Sequence, residues 1–348
     1  MVSRIAQCSI PLRFTAFDTC LPNSFSNPFH LRLISHPKSP PAFQWDEWYQ
    51  SIGGRRIQNH EVDAILKQIR ELQYPRFEGP VYPEPVQFDT PSTAAAAVKQ
   101  KAIALGGDEV GIAEIEPSDI YRGRDVSEKY AIVVGQRMLW RAFQEVPSHD
   151  SAVECLRVYF TLGEVVIQLA EYVRSLGYAC TVEHPIGDSN ILHIPLALKA
   201  GFGELGRHGS IIHPRMGPLF RLGSVITSMP LQTDHPIDVG IAAFCDKCKA
   251  CRIYCPADAI PDHRSPEAGK DHLGNDRYMV DTGKCFPYFA THHYCSICLP
   301  VCVYHHKEWA KDFEGFTTSL FPELDMREPP PPTDPDVSKH WYPHLKRT

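Results

Sequence analysis

The sequence predicts a mixed body of the α/β or α+β kind, followed by a smaller module that carries cysteines. Segments with a helical apolar period alternate with short β-branched runs between residues 60 and 227. Eight of the 12 cysteines then crowd into residues 245–302, while Cys8, Cys20, Cys155 and Cys180 are scattered. At 348 residues the chain has room for one large domain plus a small one. Composition divides it into a leader or loose arm (1–43, where Asp18 is the only acid), a body (44–238), the cysteine module (239–315) and a tail (316–348) marked by the Pro329–Pro332 run.

Within the body, residues 60–72 read as a helix, and Pro75 to Pro91 as a proline-punctuated connection. Ser92 is the cap candidate of a helix over 92–105, which Gly106-Gly107 stops. Val110–Ala113 and Tyr130–Val134 are β-rich runs of the kind that form buried strands. The clearest helix is 161–176, where Leu162, Val165, Val166, Leu169, Val173 and Leu176 recur at helical spacing before Gly177. A strand over 178–183 follows, then a helix over 193–200 with Pro195 near its start and Gly201 beyond its end. The last strand of the body runs from Phe220 to Thr227.

Composition excludes some classes of function. A net charge of −6 offers no basic surface for a polyanion, which disfavours a nucleic-acid partner. No run of about 18 apolar residues occurs, so no membrane-spanning helix is expected. Arg55-Arg56 precedes polar residues, not an apolar segment, so it is not read as an export signal, and a cytoplasmic protein is expected. Thiols clustered in an otherwise ordinary chain point to metal and not to disulfides.

Cys245, Cys248, Cys251 and Cys255-Pro256 form the bacterial ferredoxin run, whose fourth cysteine serves the other cluster. Three thiolates at intervals of three wrap one cubane. The fourth, carried off by three residues and a proline, cannot easily close on it. A second set must then exist, and Cys285, Cys295, Cys298 and Cys302 supply it. The crossover assigns Cys245, Cys248, Cys251 and Cys302 to one [4Fe–4S] cluster, and Cys255, Cys285, Cys295 and Cys298 to the other. Val303 stands where such second runs often carry proline. The alternative is a pair of zinc sites, but zinc ribbons present separated cysteine pairs, and three successive cysteines at this spacing fit them poorly.

Such a module passes electrons singly and performs no substrate chemistry itself. The residues ahead of it are enough to bury a cofactor or substrate. No G-x-G-x-x-G follows a strand, and no P-loop is present. Gly201-Phe-Gly203-Glu204-Leu-Gly206-Arg207 follows a helix, the wrong context for a dinucleotide fingerprint, and composition alone makes it a plain turn.

The stretch Leu196 to Arg207, followed by Gly217-Pro-Leu-Phe-Arg221-Leu-Gly-Ser-Val225 and the cysteine module, resembles the corrinoid-dependent reductive dehalogenases. The likeness covers roughly residues 100–310, and the related epoxyqueuosine reductases share the same order. The resemblance implies a nitroreductase-like body that holds cobalamin beside the ferredoxin-like module, with contacts at Gly201, Gly203, Glu204, Gly206 and Arg207. In these families the cobalt takes no protein histidine, so His193, His208 and His213 are read as structural or surface residues.

By the same resemblance, Tyr159, ten residues before Leu169, is the proton donor, and Arg221 is the basic partner that favours its phenolate. Read by themselves they are an aromatic at the edge of an apolar face and a strand-end charge. Asp188 departs from the asparagine that dehalogenases often carry. Epoxyqueuosine reductases use an aspartate in this vicinity as proton donor, so Asp188 is a candidate general acid as well as a candidate solvated loop residue.

The implied reaction is reductive loss of halide from a small organohalide. With no flavin or pyridine-nucleotide segment in the sequence, its electrons come from an external donor: a ferredoxin, a flavodoxin or a reductase. Two alternatives stay open. One is a tRNA-modifying enzyme like the epoxyqueuosine reductases. Those typically carry tryptophan or a similar residue, and lysine, where this turn has Glu204-Leu205 and Arg207, and a further helical repeat region where this chain has its short tail. Acidic net charge points the same way. The other is a non-catalytic iron–sulfur electron carrier, which would show no affinity for a corrinoid.

Overall fold

The computed structural model describes residues 59–143, 145–187, 189–302 and 304; the arm at 1–43, Asp188, Val303 and the tail at 316–348 lie outside the described residues. The body comprises α1 (His60–Gln68), α2 (Pro91–Ala104), β1 (Glu109–Glu114), β2 (Tyr130–Arg137), α3 (His149–Ser175), β3 (Cys180–Glu183) and α4 (His193–Lys199). It continues through β4 (Glu204–Leu205), β5 (Ile211–Ile212) and β6 (Phe220–Thr227). The cysteine-bearing segment adds α5 (Ile241–Lys247), α6 (Ala250–Ile253), β7 (Ser265–Lys270), β8 (Asp276–Arg277) and α7 (Thr282–Thr291).

Four strands form one sheet in the order β1–β2–β6–β3, and every neighbouring pair is antiparallel. The fold is thus of the α+β kind. The crossover through α3 makes β2 and β3 parallel to each other, but β6 lies between them. Residue alternation divides the faces. Ile132, Val134 and Val225 pack beneath α2 and α3 against Val98, Leu162, Val166, Leu169 and Val173. Ala131, Val133 and Ile226 face α4 and the β4 turn, against Leu196, Ala197, Phe202 and Leu205. A sheet covered on both faces needs apolar residues at every position, which is why Tyr130–Val134 reads as an unbroken apolar run.

The starts of α1, α2 and α3 each have a local cause. Asn59 Oδ1 accepts the Val62 N–H at 3.1 Å to cap α1, and a π-helical turn at Ile69–Gln73 follows it, filling the expected 60–72 helix. α2 starts at Thr90, not Ser92: Thr90 Oγ1 accepts the Thr93 N–H at 3.1 Å, with Pro91 in the first helical position. α3 runs for 27 residues and begins about three turns before the expected start at 161. Its cap is Ser148, which accepts the Ser151 N–H at 3.2 Å. These early turns bury Ser151 and Glu154, so the apolar period is blurred there, although Glu154 answers the Leu139 N–H at 2.7 Å and pairs with Arg157.

Leu169 is 0 % exposed at the centre of the α3 contact with the sheet. Leu169→Ala is expected to cost about 2–5 kcal/mol, read as a lower urea midpoint with an unchanged m-value. Among the described residues, no helix is long and apolar enough to cross a membrane.

Candidate functional site

The cysteines come together from four local pieces. Cys245 lies in α5, Cys251 in α6 and Cys285 in α7, while Cys248, Cys255, Cys295, Cys298 and Cys302 occupy the connections. All eight are free thiols. Cys302 feels Cys245, Cys251 and Cys248, and Cys285 feels Cys255 and Cys295. Cys298 feels Cys295, Cys285 and Cys255, and also Cys251 across the divide between the two sets. Burial first, and then repulsion from neighbouring thiols, pushes Cys285 up to about 11 and Cys251 up to about 12, and raises Cys298 and Cys302 as well.

Thiols in such surroundings are held as thiolates by the positive charge of a metal. One tetrahedral zinc draws four sulfurs to about 2.3 Å from itself. Among the described residues, no three Cys, His, Asp or Glu side chains gather closely enough to hold a single ion. Sets of four thiols that share a neighbourhood without converging on one point suit a cubane, in which each sulfur binds a different iron.

Arg221 and Tyr159, 62 positions apart in sequence, are neighbours. Arg221 sits near the start of β6 opposite Gln136, and its guanidinium lies 5.0 Å above the Tyr159 ring. Its Nη2 donates to Cys155 Sγ at 2.8 Å. Cys155 and Tyr159 are one helical turn apart and share a face of α3, so a single guanidinium meets both. Burial opposes the Arg221 charge, but Cys155, Tyr159 and Cys298 together hold it above its ordinary range. Tyr294 and Leu299, which flank Cys295 and Cys298, pack into the cluster that contains Leu156, Tyr159 and Phe160. The second cysteine run therefore abuts the Tyr159 helix. Arg221 Nε and His193 Nε2 are buried with no hydrogen-bond partner among the described residues, as fits polar atoms whose partner is a bound molecule. Asp188 lies outside the described residues.

The glycine turn is tied to the helix that carries the first cysteine. Glu204, 0 % exposed, accepts the N–H groups of Val239 (2.7 Å), Ile241 (3.0 Å) and Ala242 (2.7 Å) at the entrance of α5. Arg207, also 0 % exposed, donates to the carbonyls of Cys245 and Cys248 at the far end of the same helix. An acid at the N-terminus and a base at the C-terminus complement the helix dipole. Gly201 and Gly203 have φ of 79° and 149°, and a side chain on either would strike the His235 or Ile212 carbonyl. One on Gly206 would strike the Ile212 side chain. Gly201, Gly203 and Gly206 thus close against their own chain, while Glu204 and Arg207 hold the two ends of the helix that bears Cys245.

His208 and His213 are built into loops. His208 Nδ1 accepts the Ser210 N–H at 3.1 Å, and His213 Nδ1 accepts the Arg215 N–H at 3.0 Å while Nε2 meets Glu109. Cys155 is the site residue that sequence reasoning missed. As one of four scattered cysteines it carries no signal until α3 extends back to include it.

These features define the class first: a mixed helix-and-sheet protein whose fold is that of the reductive dehalogenases. It is similar to a solved reductive dehalogenase described in terms of B12-dependent dehalogenation, with a TM-score of 0.65 and 24% identity, covering 79% of this chain and 41% of that one. It is also similar to the catabolic reductive dehalogenase NpRdhA in complex with 3-bromo-4-hydroxybenzoic acid, with a TM-score of 0.63 and 24% identity, covering 71% and 37%.

In sequence it is 31% identical over 231 residues to tetrachloroethene reductive dehalogenase of Desulfitobacterium hafniense, over 63% of this chain and 41% of that protein. Epoxyqueuosine reductase of Salmonella typhimurium is 35% identical over 128 residues, or 36% and 27%. No family model matches. The chain is thus a homologue of the reductive dehalogenases and, over a shorter stretch, of the epoxyqueuosine reductases. It spans 41% of the length of the curated dehalogenases at the head of this comparison.

Proposed function

We propose that the chain is an oxidoreductase that removes halide from a small organohalide, R–X + 2e⁻ + H⁺ → R–H + X⁻, with cobalamin and two [4Fe–4S] clusters as cofactors. The observation that carries this reading is the Arg221 guanidinium 5.0 Å over the Tyr159 ring, where the second cysteine run packs against α3. Cys245, Cys248, Cys251 and Cys302 hold one cluster, and Cys255, Cys285, Cys295 and Cys298 hold the other. They form a ferredoxin-like module beside a nitroreductase-like body. Electrons enter from an external donor, a ferredoxin, a flavodoxin or a reductase, and leave one at a time toward the body.

When bound, cobalamin supplies the reduced cobalt that breaks the carbon–halogen bond. The buried donor Arg221 Nε and the buried ring nitrogen His193 Nε2 are polar atoms of this chain that fit such a guest. Tyr159 gives its hydroxyl proton to the carbon that loses halide, and Arg221 offsets the negative charge left on the ring. Cys155 holds the guanidinium in place through its 2.8 Å contact. Relatives named for tetrachloroethene and bound to 3-bromo-4-hydroxybenzoic acid support an organohalide substrate, alkene or arene.

Anaerobic reconstitution with iron, sulfide and cobalamin is expected to load about eight irons, about eight acid-labile sulfides and one corrin per chain. The loaded protein should release chloride or bromide in the presence of a reduced viologen. Zinc without sulfide would remove the cluster reading. Iron without corrin affinity would leave an electron carrier.

A further inference from the structure

Arg207 is a buried cation with no carboxylate ion pair among the described residues. Its Nε donates to the Cys245 and Cys248 carbonyls at 3.2 Å each, its Nη1 to Pro261 (3.0 Å) and Asp262 (2.6 Å), and its Nη2 to Asp246 (3.3 Å) and Cys245. One face lies 4.2 Å from the Tyr278 ring centre. Carbonyl oxygens and a ring satisfy the donors, but they do not cancel the charge. The nearest acid in the same turn, Glu204, grips the opposite end of the seven-residue α5, about 10 Å away along the helix. The Arg207 charge therefore lies directly behind the loop that bears Cys245, Cys248 and Cys251, where the Asp246 carboxylate also feels it but is paired with Arg264 at 2.7 Å. It acts on the Cys245 and Cys251 sulfurs, whereas the strongest neighbours of Cys285 and Cys298 are other cysteines.

Resting on the cluster reading above, we infer that Arg207 sets the reduction potential of the cluster held by Cys245, Cys248, Cys251 and Cys302. Reduction adds one negative charge to that cluster. A fixed cation in a water-excluded setting favours the reduced form, and nearby charge is one of the levers that tune such clusters. Arg207 is thus a positioning residue: it touches no substrate, and it acts through the loop and the field at the cubane.

The test compares Arg207→Lys, which keeps the charge but loses the fork of donors, with Arg207→Gln, which keeps some donors but loses the charge. Each full-length protein is reconstituted anaerobically, assayed for iron and sulfide, and titrated redox-wise under electron paramagnetic resonance. Arg207→Lys is expected to hold both clusters near native potentials. Arg207→Gln is expected either to fall to about half the iron, or to keep both clusters while the first shifts to lower potential. That shift should be at least tenfold in the reduced-to-oxidised ratio at fixed potential, which is 59 mV for one electron. The signals of the second cluster should stay in place as an internal control.

The inference is overturned if the two variants behave alike, whether both retain native potentials or both lose the first cluster, because hydrogen bonding and shape would then account for the residue. A wild-type protein without two iron–sulfur signals would instead remove the cluster reading itself, so the two failures are distinct.

Discussion

Tyr159→Phe is expected to lower halide release by roughly 10²- to 10⁴-fold, the usual range for loss of a positioned proton donor. The substitution deletes one oxygen and keeps the ring over which Arg221 lies at 5.0 Å. Packing with Leu156, Phe160, Tyr294 and Leu299 is retained, because the ring supplies it. Iron, sulfide and corrin content should therefore match the unaltered protein, as should the reduction of the clusters by an external donor. Each turnover needs one proton at carbon, and without the hydroxyl that proton must come from a less well placed source. Full turnover by the variant would take Tyr159 out of the mechanism and make Asp188 the leading proton donor.

Different parts of this protein were legible in its sequence to different degrees, and the reason is how local each interaction is. The cysteine sets could be read because ligation of a cubane imposes short, fixed intervals, as in Cys245, Cys248 and Cys251. β2 could be read because burial on both faces leaves an unbroken apolar run. The first turns of α3 could not, because Ser151 and Glu154 look like surface residues until the partners at Ser148 and Leu139 are known. The glycine turn was visible as a turn. Its task was hidden, because Glu204 and Arg207 act on backbone groups as far as 38 and 55 positions downstream. Tyr159 and Arg221 became candidates only through resemblance to a family. Helical period and strand pattern explain each of them separately, and nothing in either pattern joins α3 to β6 at that point.

Acid should destabilise this protein well before its carboxylates titrate, and three histidines are the cause. His184 and His208 are 2 % and 8 % exposed, and each accepts a backbone N–H two residues ahead through Nδ1, Ile186 at 3.2 Å and Ser210 at 3.1 Å. An acceptor nitrogen carries no proton, so each ring is fixed as the neutral Nε2–H form. Burial, with repulsion from His193 added, pushes His184 down to about 3; burial alone pushes His208 down to about 4, and burial pushes His193 to about 4 as well. Unfolded, all three titrate near 6.5. Between pH 6.5 and 4 the unfolded chain therefore takes up protons that the folded chain refuses, and stability falls as pH falls through that window. Above 6.5 the contribution is constant. At pH 5 the loss is about 2 kcal/mol for each histidine and about 6 kcal/mol for the three. Urea midpoints at pH 7.5 and 5, taken anaerobically, measure it. The clusters can also be acid-sensitive, so the informative comparison is with His208→Asn. Its side-chain oxygen can still accept the Ser210 N–H, as asparagine does in such turns, but it does not titrate. That variant should lose about one third less stability than the unaltered protein over the same pH interval. An identical slope would mean that His208 takes up its proton without opposition in the folded state, and that the burial described for it does not persist in solution.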